Sequence, residues 1–303
     1  MKKDFTKFLD INKAECVHLL QRAKDLKKLR KAGKEYKPLV GKTLAMIFEK
    51  ASTRTRISFE VGIHELGGQG IFLSSSETQI GRGEPVKDTA RVLSRYLNAI
   101  MIRTYAQNVV EELAQWADIP VINGLSDLYH PCQILADLFT IQEYKGGFQD
   151  RKIAFIGDGN NVTNSWLEAS ILLGFDFSLA TPEQYGPDKN LLAKARKNKK
   201  FFHTDDPSEA VKDADVIYTD VWVSMGQEKE KKERKKAFVK YKIDDKLLKG
   251  AKKDVMVMHC LPAYRGQEIT DTVFEKFSEI IFSQAENRLH AQKALLEWLM
   301  LKK

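Results

Sequence analysis

The chain has 303 residues, of which 43% are hydrophobic, and its formal net charge is +8. This length predicts about two domains with a sizeable hydrophobic core. No run of residues approaches the roughly 18 apolar residues of a membrane-spanning helix. The polar start at residues 1–5 is not typical of a signal peptide. The composition therefore argues against a membrane protein and against a secreted one.

Cysteine usage and charge distribution narrow the possibilities further. Cys16, Cys132 and Cys260 are odd in number, far apart and without the spacing of metal ligands. They favour a reducing, cytoplasmic location over a disulfide framework. A positive charge suits nucleic acid, a membrane surface or a small anionic substrate. The lysine-rich runs lack the interleaved aromatic residues of single-strand binders, so we interpret them as solvated faces. They lie at residues 24–28, 197–200 and 229–236.

The first 40 residues are predicted to be mainly helical, starting with a helix at residues 4–9. Asn12 is the expected N-cap of a helix that reaches residue 29, with Glu15 as its capping-box partner. Cys16 falls on the apolar stripe of this helix, which predicts a core position. The apolar run at residues 44–48 then predicts a buried strand.

A polar segment, Ser52-Thr53-Arg54-Thr55-Arg56, follows that strand and opens a helix expected to end at Gly67-Gly68. The free N–H groups and the dipole at a helix start favour an anion. Guanidinium forks, here those of Arg54 and Arg56, match the oxygens of a phosphate. We interpret the segment as a phosphate site with no glycine loop and no obligatory metal. The alternative is a capped helix that carries surface arginines.

Strands and helices continue to alternate up to residue 124. Strands are expected at 70–73, 99–102 and 120–124, and helices at 88–96 and 108–116. The polar loop 74–85, which contains Gln79, Gly81 and Arg82, either reaches over a ligand or is a mobile linker. The alternation predicts a parallel sheet covered on both faces, with ligands at the carboxyl ends of its strands. Segment 50–56 and Arg103 share that end.

The stretch from Asp127 to Asp137 is predicted to be a loop that turns at His130-Pro131 into a helix reaching Glu143. Taken alone, His130 is as compatible with a turn residue as with a catalytic one. Gly146-Gly147 then interrupts the chain, and we place the domain junction there.

The second half repeats the architecture. Strands are expected at 152–156, 176–180, 201–203, 215–219 and 255–259, and helices near 161–173 and 187–197. The loop Gly157-Asp158-Gly159-Asn160-Asn161-Val162 resembles a dinucleotide fingerprint, but Val162 stands where the third glycine belongs. A tight strand-to-helix turn is therefore favoured over dinucleotide binding, and the asparagines could still face a ligand.

Four later features of the sequence complete the prediction. Asp220 directly follows a strand and is placed to meet a cation. Residues 228–238 are predicted to form a charged helix stabilised mainly by its own charge pairs. Cys260 is equally compatible with a core position and with the lining of a cleft. Residues 284–288 open a last helix, through residue 299, that could return to the first domain.

Four motifs together resemble the aspartate/ornithine carbamoyltransferase family, and within it the ornithine-using members. They occur in the right order over nearly the whole chain: Ser52-Thr53-Arg54-Thr55-Arg56, His130-Pro131-Cys132-Gln133, Asp220-Val221-Trp222-Val223-Ser224-Met225-Gly226 and His259-Cys260-Leu261-Pro262. The resemblance implies an α/β fold of two domains, each a parallel sheet flanked by helices, joined by interdomain helices. Residues 1–145 with the C-terminal helix 287–303 would bind carbamoyl phosphate, and residues 146–286 would bind L-ornithine.

The resemblance also implies roles for individual residues. The expected carbamoyl phosphate ligands are Ser52, Thr53, Arg54, Thr55, Gln79 reaching from a neighbouring subunit, Arg103, His130, Gln133, Cys260, Leu261 and Arg288. The expected ornithine ligands are Asn161, Asp220, Ser224 and Met225. The catalytic residues would be Arg103, His130, Cys260 and Asp220.

The same resemblance bears on partners and on the acceptor. It implies a homotrimer or a multiple of trimers, a place in arginine metabolism, no metal or organic cofactor, and no nucleic-acid or membrane partner. Asp220 would repel a second carboxylate, which disfavours aspartate as the acceptor. Another amine, such as putrescine or N-acetylornithine, remains the alternative acceptor. Outside the family, the open readings are a dinucleotide-dependent oxidoreductase and a basic nucleic-acid binder.

The residue types fit carbamoyl transfer chemically. An alkylamine has a pKa of about 10.4, so the attacking nitrogen must lose a proton at neutral pH. Nearby Arg54 and Arg103 would lower that pKa by disfavouring the ammonium. Arg103, His130 and Thr55 would polarise the carbonyl as positioned donors, and the leaving phosphate could take the proton. Alignment of the two substrates, aided by domain closure, would supply much of the acceleration.

Overall fold

The computed structural model describes residues 2–74, 83–224, 226 and 228–301. The chain divides into two compact units, residues 1–139 with 287–303 and residues 140–286. Both divisions fall within helices, Pro131–Lys145 and Ser278–Leu301. No helix in the described ranges has the length and apolar character needed to cross a membrane.

The first unit is built on a four-stranded parallel sheet of order β2-β1-β3-β4. Its strands are β1 (Thr43–Phe48), β2 (Gln69–Ser74), β3 (Ala99–Arg103) and β4 (Val121–Leu125). Its helices are α1 (Lys13–Lys31), α2 (Thr53–Glu65), α3 (Val86–Tyr96), α4 (Gln107–Trp116) and the first part of α5 (Pro131–Lys145). The strands expected here, and the helices expected after residue 12, are confirmed.

The sheet of the first unit is buried at its centre and open at one edge. The inner strands β1 and β3 are almost entirely buried because helices cover both faces of a parallel sheet. Their side chains form a core with α3, α4 and β4. The edge strand β2 keeps partly exposed side chains.

The N-terminal segment is partly as predicted. The Asn12 side chain accepts a hydrogen bond from the Glu15 N–H at 2.9 Å, and the Glu15 carboxylate accepts one from the Asn12 N–H at 3.0 Å, so the capping box is confirmed. Cys16 is buried, as expected. The helix expected near residues 4–9 is wrong: Phe5 lies beside β4, with its N–H donating to the Val121 carbonyl at 2.8 Å. Only a single 3-10 turn, Phe8–Asp10, follows.

The second unit is a five-stranded parallel sheet of order β7-β6-β5-β8-β9. Its strands are β5 (Lys152–Ile156), β6 (Asp176–Ala180), β7 (Phe201–Thr204), β8 (Val216–Thr219) and β9 (Met256–His259). Its helices are α6 (Asn161–Leu173), α7 (Lys189–Ala195), α8 (Pro207–Val211), α9 (Lys231–Phe238), α10 (Asp245–Leu248) and α11 (Asp271–Lys276). The first part of α12 (Ser278–Leu301), up to residue 286, also belongs to this unit.

Helix predictions in this unit are mixed. Helix α6 spans the expected residues, and α12 begins at Ser278 instead of near residue 284. The short helices α8, α10 and α11 were not predicted, because helices of four to six residues show too little hydrophobic periodicity.

Each sheet has one point at which the strand order reverses. In the first unit this point lies between β1 and β3, where Phe48 pairs with Arg103. In the second unit it lies between β5 and β8. Ligands of open α/β sheets bind beyond the carboxyl ends of the strands at such points. The predicted phosphate segment follows β1, and Asp220 follows β8.

Candidate active site

The start of α2 is built to face an anion. Ser52 is the N-cap of this helix, and its Oγ accepts a hydrogen bond from the Thr55 N–H at 3.2 Å. The strand β1 ends four residues earlier, so the helix start lies at the carboxyl edge of the sheet. Positive partial charge from the first-turn N–H groups gathers there, which stabilises negative charge.

Two arginines converge on Thr55 in this helix. Arg103 Nη1 donates to Thr55 Oγ1 at 3.3 Å, and Arg288 Nη2 donates to the same oxygen at 2.8 Å. Thr55 is 0% exposed, Arg103 is 8% and Arg288 is 3% exposed. Because both guanidinium groups bond one hydroxyl oxygen, two positive charges are held together at the start of α2.

Arg54 adds a third positive charge to this cluster. Burial, together with the charges of Arg288 and Arg54, lowers the pKa of Arg103 to about 9. The Nε atoms of Arg54 and Arg103 are buried and lack a hydrogen-bond partner among the described residues. Buried guanidinium donors normally have an acceptor. The donor set fits a compact anion with several oxygens, such as a phosphate group.

Arg56 does not belong to this cluster, although it shares the motif with Arg54. Its side chain is exposed, pairs with Glu60 at 3.3 Å and lies 3.9 Å from the ring centroid of Phe72. Helical geometry explains the difference, because residues two apart on a helix face different sides.

His130 stands beside the cationic cluster as a neutral imidazole. Burial, and then the charges of Arg288, Arg103 and Arg54, hold its pKa well below 6.5. A neutral imidazole offers one N–H donor without adding charge. The residue immediately precedes Pro131, the first residue of α5, and is buried. The catalytic role of His130 remains a prediction.

A buried polar network supports the loop that carries His130. Ser126 Oγ donates to Gln107 Oε1 at 2.6 Å and accepts from the Tyr129 N–H at 3.0 Å. Asn123 Nδ2 also donates to Gln107, at 3.2 Å, and the Cys132 thiol lies 3.3 Å from the Asn123 carbonyl oxygen. The sequence analysis missed this network, since its members come from three separate elements.

Lys50 and Glu49 make a second support beside the same loop. Lys50 pairs with Asp127, and its ammonium lies 4.2 Å from the ring centroid of Tyr105. Thr104 donates to the Glu49 carboxylate. These contacts join the end of β1 to the segments that follow β3 and β4.

The second unit places a buried carboxylate at its own strand-order reversal. Asp220 Oδ2 accepts from Asn160 Nδ2 at 2.7 Å, and Oδ1 accepts from the Val221 N–H at 2.8 Å. The Cys260 thiol is 3.0 Å from Asp220 Oδ1. Cys260 is thus buried and lies beside the charged group. Asn160, one of the two asparagines of the glycine loop, is the N-cap of α6 and fixes this carboxylate.

His259 supports the turn that carries Cys260. Asp220, His259 and Cys260 have potential ligand atoms within 4.8 Å of one another. However, His259 Nδ1 accepts from the Leu261 N–H at 2.9 Å, and its Nε2 lies 3.1 Å from the buried carboxylate of Glu268. Because both ring nitrogens are engaged, the histidine holds the turn at Leu261, whose φ is +59°.

The charged helix α9 differs from the prediction at one residue. Arg234 was expected on a solvated face, but it is 3% exposed. Its Nε donates to the Trp222 carbonyl at 2.6 Å, it pairs with Asp158, and its guanidinium lies 4.4 Å from the Tyr185 ring centroid. Burial raises the pKa of Asp158 to about 7 even though Arg234 opposes that shift.

The glycine loop after β5 is a tight turn. A Cβ atom on Gly159 would lie 2.3 Å from the backbone of Gly186 and Pro187. The glycine therefore serves close backbone packing, whereas in a dinucleotide loop it leaves space for a pyrophosphate. The tight-turn interpretation is favoured by this contact.

Family models match both halves of the chain. Residues 3–143 match the carbamoyl-P binding domain of aspartate/ornithine carbamoyltransferase, and residues 149–299 match its Asp/Orn binding domain. The chain belongs to the aspartate/ornithine carbamoyltransferase family.

Individual relatives are similar over the full length. The ornithine carbamoyltransferase of Geobacter sulfurreducens is 53% identical, over 99% of this chain and 100% of that protein. That of Syntrophus aciditrophicus is 54% identical over the same shares. The solved ornithine carbamoyltransferase from Pyrococcus furiosus superposes with a TM-score of 0.94 at 51% identity, covering 99% of this chain and 97% of that one.

Within this carbamoyltransferase, the predicted site residues divide into four groups. In the first group, Arg103 and Arg288 contact Thr55 directly, and Ser52 caps the same helix. The charges of the three arginines, including Arg54, act on His130. Asp220 and Cys260 form the second cluster, and Asn161 begins α6 one residue after Asn160. Gln79 and Met225 lie outside the described residues. Thr53, Gln133, Ser224 and Leu261 are expected ligands whose roles remain predictions.

Proposed function

We propose that this protein transfers the carbamoyl group of carbamoyl phosphate to the side-chain amine of L-ornithine, giving L-citrulline and phosphate. The observation that carries the proposal is the convergence of Arg103 and Arg288 on Thr55 at the start of α2. The full-length similarity to ornithine carbamoyltransferases supports ornithine as the acceptor.

In this proposal the first unit binds carbamoyl phosphate. The N–H groups at the start of α2 and the guanidinium groups of Arg54, Arg103 and Arg288 hold the phosphate, with the hydroxyls of Ser52 and Thr53. Charge-assisted hydrogen bonds supply most of the affinity, because the helix dipole contributes only about 0.3–1 kcal/mol. The predicted contacts from Gln79 and from the Cys260-Leu261 backbone belong to the same ligand.

The carbonyl of the carbamoyl group needs donors to become electrophilic. Arg103, neutral His130 and the Thr55 hydroxyl are the groups proposed to bond its oxygen. Thr55 Oγ1 lies within hydrogen-bond distance of both arginines and of Ser52 Oγ, at 3.1 Å, which fixes the hydroxyl in place. Donors already fixed in a buried site stabilise the oxyanion with little reorganisation, which is the main source of such catalysis.

The second unit is proposed to bind ornithine. Asp220 pairs with the ammonium of ornithine, and Asn161 with Ser224 and Met225 holds the carboxylate. The amine loses a proton, its nitrogen forms a bond to the carbamoyl carbon, and the carbon–oxygen bond to phosphate breaks. Phosphate leaves with the electron pair and takes up a proton. Cys260 lies beside Asp220 and contributes a thiol near the attacking nitrogen.

The proposal also covers the oligomeric state, the location and the metabolic role of the protein. A homotrimer, a cytoplasmic location and a role in arginine metabolism follow from the family resemblance of the motifs. Size-exclusion chromatography with light scattering tests the trimer: a monomer or a dimer at working concentration would contradict it.

Colorimetric detection of citrulline from ornithine and carbamoyl phosphate tests the activity. We expect citrulline to form with ornithine and at least ten times more slowly, if at all, with an equal concentration of putrescine or N-acetylornithine, a margin typical of pocket discrimination. A preference for either alternative amine would overturn the assignment of ornithine. Absence of product with all three amines would overturn carbamoyl transfer.

A further inference from the structure

Gln133 and Asp137 form a buried pair on one face of α5. Gln133 Nε2 donates to Asp137 Oδ1 at 2.8 Å. The side chains are 1% and 0% exposed. Residues four apart on a helix lie one above the other, so the contact is set by the helix itself. A carboxylate can only accept hydrogen bonds, and it therefore takes the N–H end of the glutamine amide.

The oxygen end of the same amide is then turned away from Asp137. Gln133 Oε1 is buried and has no hydrogen-bond partner within the described part of the chain. A buried acceptor left without a donor costs free energy, so such an atom marks a position where a donor is expected. The residue lies one turn along α5 from His130, whose carbonyl accepts the Gln133 N–H at 3.1 Å.

The surroundings of His130 are rich in donors. Arg54, Arg103 and Arg288 all act on its charge state. The three guanidinium groups can donate hydrogen bonds to the phosphate and to the carbonyl oxygen of carbamoyl phosphate. A guanidinium group has no acceptor, so none of them can accept a hydrogen bond from the –NH2 group of that substrate. Gln133, whose backbone N–H bonds the His130 carbonyl, carries a buried acceptor, Oε1. The complementary substrate group is a planar amide nitrogen that carries hydrogen.

Resting on the proposed function, we propose that Asp137 is a positioning residue that holds the Gln133 amide with its oxygen toward the carbamoyl –NH2. Asp137 thereby sets the preference of the site for carbamoyl phosphate over acyl phosphates with a methyl group at that position. A site built to bond an N–H group rejects the analogue that lacks it, since its buried acceptor is then left unpaired.

Acetyl phosphate is the matched probe, because it differs from carbamoyl phosphate by a methyl group in place of –NH2. Binding of freshly dissolved carbamoyl phosphate, acetyl phosphate and inorganic phosphate is measured by calorimetry on the full-length protein without ornithine. We expect the unsubstituted protein to prefer carbamoyl phosphate by about tenfold or more, the worth of one buried hydrogen bond. In Asp137→Ala the ratio of the two affinities should fall at least about fivefold, as expected when one hydrogen bond is misaligned. The affinity of this variant for inorganic phosphate should stay within about twofold of the unsubstituted protein.

The same substitution in a Gln133→Ala protein distinguishes a positioning role of Asp137 from a general disturbance of the fold. In Gln133→Ala the preference is already reduced, and adding Asp137→Ala should not reduce it further, because Asp137 acts through Gln133. If Asp137→Ala does not fold, Asp137→Ser carries the same expectation. An unchanged preference in the Asp137 variant, or an equal loss in the two backgrounds, would overturn the inference.

The two proposals can fail separately. Citrulline formation by the unsubstituted protein tests carbamoyl transfer. The ligand preference measured by calorimetry tests the role of Asp137 and needs no turnover. Citrulline formation with an unchanged preference in Asp137→Ala would remove only the role of Asp137.

Discussion

Arg288 Nη2 donates to Thr55 Oγ1 at 2.8 Å, although the two residues are 233 positions apart in the sequence. The contact brings the last helix of the chain to the start of α2. It adds a guanidinium to a helix N-terminus that already favours anions. Thr55 is therefore the point at which the cationic cluster is organised, and its hydroxyl can be tested directly.

We expect Thr55→Val to lower kcat/KM for citrulline formation by about 100-fold, the usual loss when one preorganised donor is removed. Valine has nearly the same shape but leaves the Arg103 and Arg288 donors without their shared acceptor. Thr55→Ser keeps the hydroxyl and is the matched control. Equal activity of the valine and serine variants would contradict a role for the hydroxyl.

Arg54 and Arg56 provide a matched pair within one motif. We expect Arg54→Ala to raise the KM for carbamoyl phosphate at least about 30-fold, because a charge-assisted bond to phosphate is lost. Arg56→Ala should stay within about threefold, since exposed ion pairs contribute little. Initial-rate kinetics at saturating ornithine give both values. A larger effect at Arg56 than at Arg54 would place the anion on the other side of α2.

The low pKa of His130 predicts a pH dependence of stability. The native state keeps this imidazole neutral below pH 6.5, whereas in the unfolded state it gains a proton there. The unfolded state thus binds more protons, and stability falls as the pH drops below about 6.5, by at most about 1.4 kcal/mol per pH unit for one proton.

Urea unfolding of the ligand-free protein between pH 5 and pH 8 measures this dependence. We expect His130→Gln to flatten the acid side of the profile by up to one proton relative to the unsubstituted protein. Contributions from other groups, including Asp158, cancel in the comparison. Identical slopes in the two proteins would show that His130 titrates normally.

The buried pair of Arg234 and Asp158 should be important for stability. Removing Arg234 leaves the buried Asp158 carboxyl without its charge partner, and breaking such a buried pair costs about 3–5 kcal/mol. We expect Arg234→Ala to lose stability in this range by urea unfolding. The exposed Lys232→Ala on the same helix should change it by less than about 0.5 kcal/mol.

A double variant checks the physical reason. Asp158→Asn combined with Arg234→Met removes both charges, and it should recover a large part of the loss because no isolated buried charge remains. If the double variant were as unstable as Arg234→Ala, packing against Tyr185 and the bond to the Trp222 carbonyl would be the dominant contributions.

Alanine substitutions at Gly159 and Gly186 are expected to have opposite effects on stability. Gly159→Ala would place a Cβ 2.3 Å from backbone atoms, so we expect it to destabilise the protein by about 1–3 kcal/mol or more. In Gly186→Ala the nearest atom is 3.6 Å away, which is ordinary contact, and the change should be tolerated. Thermal unfolding of both variants tests this. A stable Gly159→Ala protein would mean that the loop can move away from residues 185–187.

The sequence by itself determined the alternation of strands and helices, the parallel sheets and the start of α2. These features depend on local patterns: continuous apolar runs in buried strands, helical spacing and a Ser N-cap before two arginines. The same patterns predicted the capping box at Asn12 and the helix α6. Four separated motifs then indicated the family, because their joint order is far more specific than any one of them.

Only the tertiary structure decided which polar residues meet. It brought Arg288 to Thr55, assigned Arg54 and not Arg56 to the cationic cluster, and buried Arg234 within a helix expected to be solvated. It also identified Asn160 as the partner of Asp220. The physical reason is that hydrogen bonds and charge interactions depend on distances of a few ångströms between residues far apart in the chain, whereas local propensity and hydrophobic spacing describe near neighbours only.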